Sequence, residues 1–139
     1  MTRRLYFRVK LSDNNRCFGC GKENPLGLKI TFTLDREKKA IKGEFTPGPE
    51  HQGYQGITHG GIIATLLDEA MGRLLFELGT YAVTAWMEVR FMAPLEIGEM
   101  VFVSAKVTKD RKKFFEAVAE VTDSSGASIA RASGKLMMV

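Results

Sequence analysis

The sequence predicts an α+β domain in which a single long helix packs against an antiparallel sheet. Three observations carry this. Helical spacing of apolar residues is sustained in one long stretch, residues 61–78. Six other stretches alternate in extended fashion, and four of them follow the helix with only short polar connectors between them. A sheet with one apolar face and a helix with one apolar stripe bury each other most simply when the sheet curls around the helix. Strand order is not fixed by this reasoning.

Taken in order, residues 12–27, which contain CGKENPLG, are dense in turn formers and form an irregular lead-in. A strand follows over Leu28 to Leu34, then the charged turn 35–39, then a second strand over Ala40 to Thr46, which together make a hairpin. Residues 46–61, TPGPEHQGYQGITHGG, hold two prolines and five glycines. So long a loop in a compact domain is a candidate binding segment. In the helix, Ile63, Leu66, Leu67, Ala70, Met71, Leu74, Leu75 and Leu78 share one stripe, and Gly79 closes it. The last four strands are expected at 81–93, 99–109, 113–123 and 127–138. Strict alternation places Val83, Ala85, Met87, Val89 and Phe91 on one face of the first of them. Thr84, Trp86, Glu88 and Arg90 then lie on the other.

The 139 residues suffice for one domain with a single core, and 45% hydrophobic with 26% charged residues is ordinary for a soluble chain. No apolar run is long enough to span a bilayer, and residues 1–15 lack the apolar block of a signal peptide, so a cytoplasmic protein without a membrane partner is expected. The net charge of +4 and pI near 9.2 suit phosphorylated small molecules and fall short of a nucleic-acid footprint. Cys17 and Cys20 form one CxxC, half of a four-thiolate zinc site that would need other ligands or a second subunit. Reduced thiols in a turn, with no metal and no cofactor, are expected.

Two acids interrupt the helix. Glu69 precedes Arg73 by four residues, which predicts an ion pair along the helix. Asp68 has no such partner, because Ala64 and Gly72 flank it at i±4, and aspartate is a poor residue for a helix interior. The helix opens on His59-Gly60-Gly61, where glycines bare backbone N–H groups that, with the helix dipole, favour an anion. Asp68 lies about 12 Å along the axis from Gly60, too far for both to grip one reacting group. Joint chemistry therefore calls for a dimer, one chain giving the acid and the other the N–H donors.

The combination HGGxxATLLDE, the lead-in CFGCGKENPLGLKI and the later FMAPLEIGE turn resemble the PaaI-like hotdog-fold thioesterases. The resemblance covers roughly residues 20–138. It implies a five- or six-stranded sheet wrapped around a central helix, an active site at a dimer interface, and a homodimer or dimer of dimers. By resemblance Asp68 matches the catalytic carboxylate, a nucleophile or a general base for water, and Gly60 N–H the donor that polarises the thioester carbonyl. His59 lies beside that donor, Gly61 continues the substrate-facing turn, and Thr84 matches a hydroxyl that orients water or the carboxylate. Many relatives carry Asn or Gln where this chain has Gly53, and His51, Gln52 or Gln55 could replace that group.

The implied reaction is hydrolysis of an acyl or aroyl thioester of coenzyme A. A thioester has an electrophilic carbonyl and a good leaving group, so one carboxylate and an oxyanion hole can suffice without a triad. Arg111 and Lys112 in the basic turn KDRKK, or Arg90, are candidates to meet the phosphates of coenzyme A. The alternative, suggested by Gly53, is a non-catalytic module that holds acyl-CoA as sensor or carrier.

Overall fold

The computed structural model describes residues 10–138. Among these residues six strands, β1 (Phe32–Asp35), β2 (Ala40–Phe45), β3 (Ala82–Phe91), β4 (Val101–Asp110), β5 (Phe114–Asp123) and β6 (Ser128–Met138), surround one α-helix, α1 (Gly60–Glu77). The strands form one sheet in the order β1-β2-β4-β5-β6-β3, and every neighbouring pair is antiparallel. The helix packs against all six strands, which requires the sheet to curl around it. This is the hotdog arrangement.

The apolar stripe read from the sequence is the buried face. Ile63, Leu66, Leu67, Ala70, Met71, Leu74 and Leu75 are all buried and meet Val101, Val103, Val121 and Leu136 from the sheet. Gly79 adopts φ +90°, its N–H donates to Phe76 O at 3.0 Å, and Thr80 N–H donates to Leu75 O at 2.9 Å. That pair of bonds is a Schellman motif, which satisfies the last carbonyls of the helix and needs a residue without Cβ at position 79. Leu74 is fully buried. Leu74→Ala is expected to lose about 3 kcal/mol of stability, read as a lower denaturant midpoint at unchanged slope. None of the described helices is long and apolar enough to cross a membrane.

Three local expectations are corrected. The first strand begins at Phe32, not Leu28. Leu28 and Ile30 are buried in alternation, but their N–H groups donate to Phe18 O (2.8 Å) and Gly19 O (3.0 Å) in the lead-in, and Lys29 adopts φ 55°. Alternating burial without a neighbouring strand is a loop held by another loop. The connector 92–100 also fails to join neighbours: β3 pairs with β6 at one edge, and β4 pairs with β2 and β5. This connector returns across the end of the sheet, anchored by fully buried Leu95, whose carbonyl accepts from Thr58 N–H at 2.8 Å.

The third correction lies in β3. Thr84 stands opposite Leu136 and Trp86 opposite Lys135, so Ala85 has no place in the ladder and is a β-bulge. Cross-strand partners share a face. Leu136 is buried in the core, and Met87 stands opposite Gly134, where an added Cβ would come within 3.0 Å of Met71 Cε. Thr84 and Met87 therefore both face the helix, whereas Trp86, Glu88 and Arg90 face away. Strict alternation had grouped Thr84 with those three.

Candidate active site

Asp68 is half-buried at the margin of the helix stripe, and the bulge in β3 aims a hydroxyl at it. Thr84 Oγ1 donates to Asp68 Oδ1 at 2.6 Å. The second carboxylate oxygen receives no hydrogen bond from any described group. A carboxylate anchored through one oxygen and open at the other is oriented without being consumed by its support.

The start of α1 divides its donors between structure and ligand. His59 is the N-cap in extended conformation (φ −60°, ψ 133°), and its Nδ1 accepts from Gly61 N–H at 2.8 Å. An accepting Nδ1 places the proton of the neutral ring on Nε2. Its own N–H donates to His51 O at 2.8 Å. Gly60 N–H, between them, has no acceptor among the described residues. It points from a helix N-terminus, where a developing negative charge is favoured. The ring of Phe91 lies beside Gly60, 3.6 Å from where a Cβ would stand. Phe91 was absent from the sequence-derived site, since nothing in its spacing links the end of β3 to the start of the helix.

The remaining predicted residues separate into two groups. His51 and Gln52 serve their own loop: His51 Nδ1 accepts from Gly48 N–H (2.9 Å) and its ring lies tilted against that of Phe45, while Gln52 Oε1 accepts from Gly56 N–H (3.1 Å). Gly53 has a steric reason, because a Cβ there would lie 3.3 Å from His59 Cα. Arg90 is exposed on the outer sheet face beside Glu88 (3.8 Å), away from Asp68. Arg111 and Lys112 are exposed at the β4–β5 tip. That tip stands at the Thr84 end of the sheet, since Thr84, Leu136, Phe115 and Asp110 are successive partners. Three strand spacings separate the two ends of this row, about 14 Å.

Glu69 does not pair with Arg73. Arg73 donates instead to Glu77 at 2.6 Å and approaches Asp13 at 3.7 Å. Cys17 Sγ–H takes Glu69, at 3.2 and 3.4 Å from its two oxygens. The i,i+4 rule counts only the helix, and here the lead-in supplies a nearer partner. Burial pushes the Cys20 thiol well above its ordinary range, and the Glu69 carboxylate beside it adds to the shift.

A six-stranded antiparallel sheet wrapped around one long helix has counterparts in known proteins. The family model described as thioesterase superfamily matches residues 55–130. The chain belongs to this family. Acyl-coenzyme A thioesterase 13 of Homo sapiens is 32% identical over 139 residues, 99% of this chain and 90% of that protein. Acyl-coenzyme A thioesterase THEM4 of Xenopus laevis is 30% identical over 87 residues, 63% of this chain but 39% of its own length. The chain thus spans about two-fifths of the THEM4 and THEM5 relatives. Among solved structures, the Escherichia coli PaaI protein of the phenylacetic acid degradation operon superposes with TM-score 0.75 at 20% identity, over 81% of this chain and 80% of that one. A Streptococcus mutans protein bound to acetyl CoA gives 0.74 at 17%, over 95% and 94%. At these identities the superpositions speak for the shared thioesterase-superfamily fold.

Proposed function

We propose that this chain hydrolyses an acyl or aroyl thioester of coenzyme A as a homodimer. The observation that carries the proposal is the Asp68 carboxylate, held by Thr84 through one oxygen and open at the other. The names of the relatives and the acetyl CoA in a structural neighbour support coenzyme A as the carrier. Water adds to the thioester carbonyl, the C–S bond breaks, and a free acid and the coenzyme A thiol leave. Asp68 acts as the nucleophile or as the base for that water, and Gly60 N–H stabilises the oxyanion.

Within one chain these two groups stand eight positions apart along the helix, about 12 Å, so the site is completed by a second copy. Among the described residues β3 has no strand beyond it at its edge of the sheet, which favours that assembly. Tyr81, Trp86, Phe91 and Met92, in or next to this strand, are all more than half exposed. An unpaired edge rich in large apolar side chains is a template for pairing. Arg111 and Lys112 lie within reach of a ligand that extends from Asp68 to the strand ends, and they take the coenzyme A phosphates.

The direct test is thiol release across short, medium, long and aromatic acyl-CoA substrates. Turnover with at least one class is expected, and tight binding without thiol release would identify a sensor or carrier instead. Thr84→Val keeps the shape and removes the hydroxyl. It is expected to lower kcat about 10-fold with little change in KM, while Thr84→Ser keeps most of the rate.

A further inference from the structure

We propose that Cys17, Cys20 and Glu69 form a zinc site that clamps the lead-in segment onto the helix, one residue from Asp68. The CxxC alone offers two ligands. Folding brings Glu69 to it as a third, and among the described residues this is the one such group, with all three ligand atoms within 4.8 Å of one another. Tetrahedral zinc with two thiolates and a carboxylate has S···O edges of about 3.6 Å and an S···S edge of about 3.8 Å. The two Cys17 to Glu69 distances, 3.2 and 3.4 Å, are already close to such an edge.

The turn is shaped for this convergence. Gly21 N–H donates to Cys17 O at 2.8 Å, and a Cβ at Gly21 would fall 2.3 Å from Cys17 N. A Cβ at Gly19 would fall 2.5 Å from Glu69 Cγ, so the side chain of Glu69 passes directly over the turn. Both glycines are needed for the sulfurs and the carboxylate to meet. Two thiolates and one carboxylate leave zinc with a net charge of −1. Arg73 Nη1, 3.8 Å from Cys20 Sγ, sits where it offsets that charge. The cluster opens on a cavity of about 420 Å³ lined also by Asp13, Gly72 and Phe76, which leaves room for water as the fourth ligand. Soft thiolates with an oxygen ligand in this geometry select zinc over magnesium or calcium. Binding displaces two thiol protons to solvent and changes no oxidation state.

The test uses the full chain, reduced, stripped with a chelator and dialysed, then titrated with Co²⁺ and Zn²⁺. One equivalent of Co²⁺ is expected to give thiolate-to-cobalt charge-transfer absorption and the visible bands of a tetrahedral site, both bleached by Zn²⁺. Cys17→Ser and Cys20→Ser should each weaken the charge-transfer band and together abolish it. Glu69→Gln should weaken zinc binding by on the order of 10-fold or more. Far-UV circular dichroism establishes that each variant is folded, and zinc should raise the Tm of the wild type but not of the double cysteine variant. A folded wild type with no saturable one-to-one cobalt spectrum overturns the proposal, as does undiminished affinity in Glu69→Gln. Neither readout involves thioester cleavage, so failure here is separable from failure of the proposed hydrolysis.

Discussion

Asp68→Asn is expected to lower acyl-CoA hydrolysis about 10³-fold with the fold intact. The size follows from what the carboxylate is asked to supply. A positioned base contributes roughly 10² to 10⁴ in rate, and the loss of a nucleophile costs at least as much. The amide fits the same space, and its oxygen can still accept from Thr84 Oγ1, which donates to Oδ1 at 2.6 Å in the wild type. Neither route survives, because an amide neither attacks a thioester usefully nor takes a proton from water at neutral pH. The measurement is steady-state thiol release beside a thermal melt. A variant that melts like the wild type and turns over at its rate would remove Asp68 from the mechanism.

Gly60→Pro addresses the other half of the site, and the local backbone makes it an unusually clean deletion. Gly60 is the first residue of α1, where proline is favoured because its missing N–H had no helical acceptor. His59 already holds the extended conformation that a following proline demands, φ −60° and ψ 133°. An added Cβ would make ordinary contact with Phe91 at 3.6 Å. The substitution therefore removes one N–H and little else. Losing one oxyanion donor is expected to cost about 10² to 10³ in kcat. If the rate is unchanged, Gly60 is not the donor.

The two variants together test the geometry between chains. In a mixed dimer of Asp68→Asn and Gly60→Pro subunits, one site receives both defects and the other receives none. Random reassociation should then restore about a quarter of wild-type activity, since half of the dimers are hybrids with one working site each. If acid and donor came from the same chain, mixing would restore nothing.

Much of this is legible in the sequence itself. The helix stripe was readable because one periodicity ran unbroken over five turns, and Gly79 marked its end by a conformation few other residues adopt. Asp68 stood out because neither the helix nor its neighbours gave it a partner along the chain. What escaped were contacts made by segments distant in sequence. Glu69 was assigned to Arg73 because the helix rule sees only i±4, whereas Cys17 reaches it from 52 residues away. Leu28 and Ile30 alternated like a strand while bonding to a loop. The placement of β4 at the centre of the sheet depended on how a connector crosses the sheet end, which no local pattern records.

Ala85 shows a related difficulty for comparing this chain with its kin. The ribosome counts it, but the ladder with β6 does not, so residues of β3 on either side of it belong to two different reading frames of inside and outside. A relative whose strand is regular would be one residue shorter here. Aligned without a gap from Trp86 onward, its residue opposite the counterpart of Leu136 would fall on Ala85, and the group that holds Asp68 would be placed in the wrong column. Placing a one-residue gap opposite Ala85 restores Thr84 to that column, so the spacing between the helix acid and the strand hydroxyl should be compared through the pairing rather than by residue count.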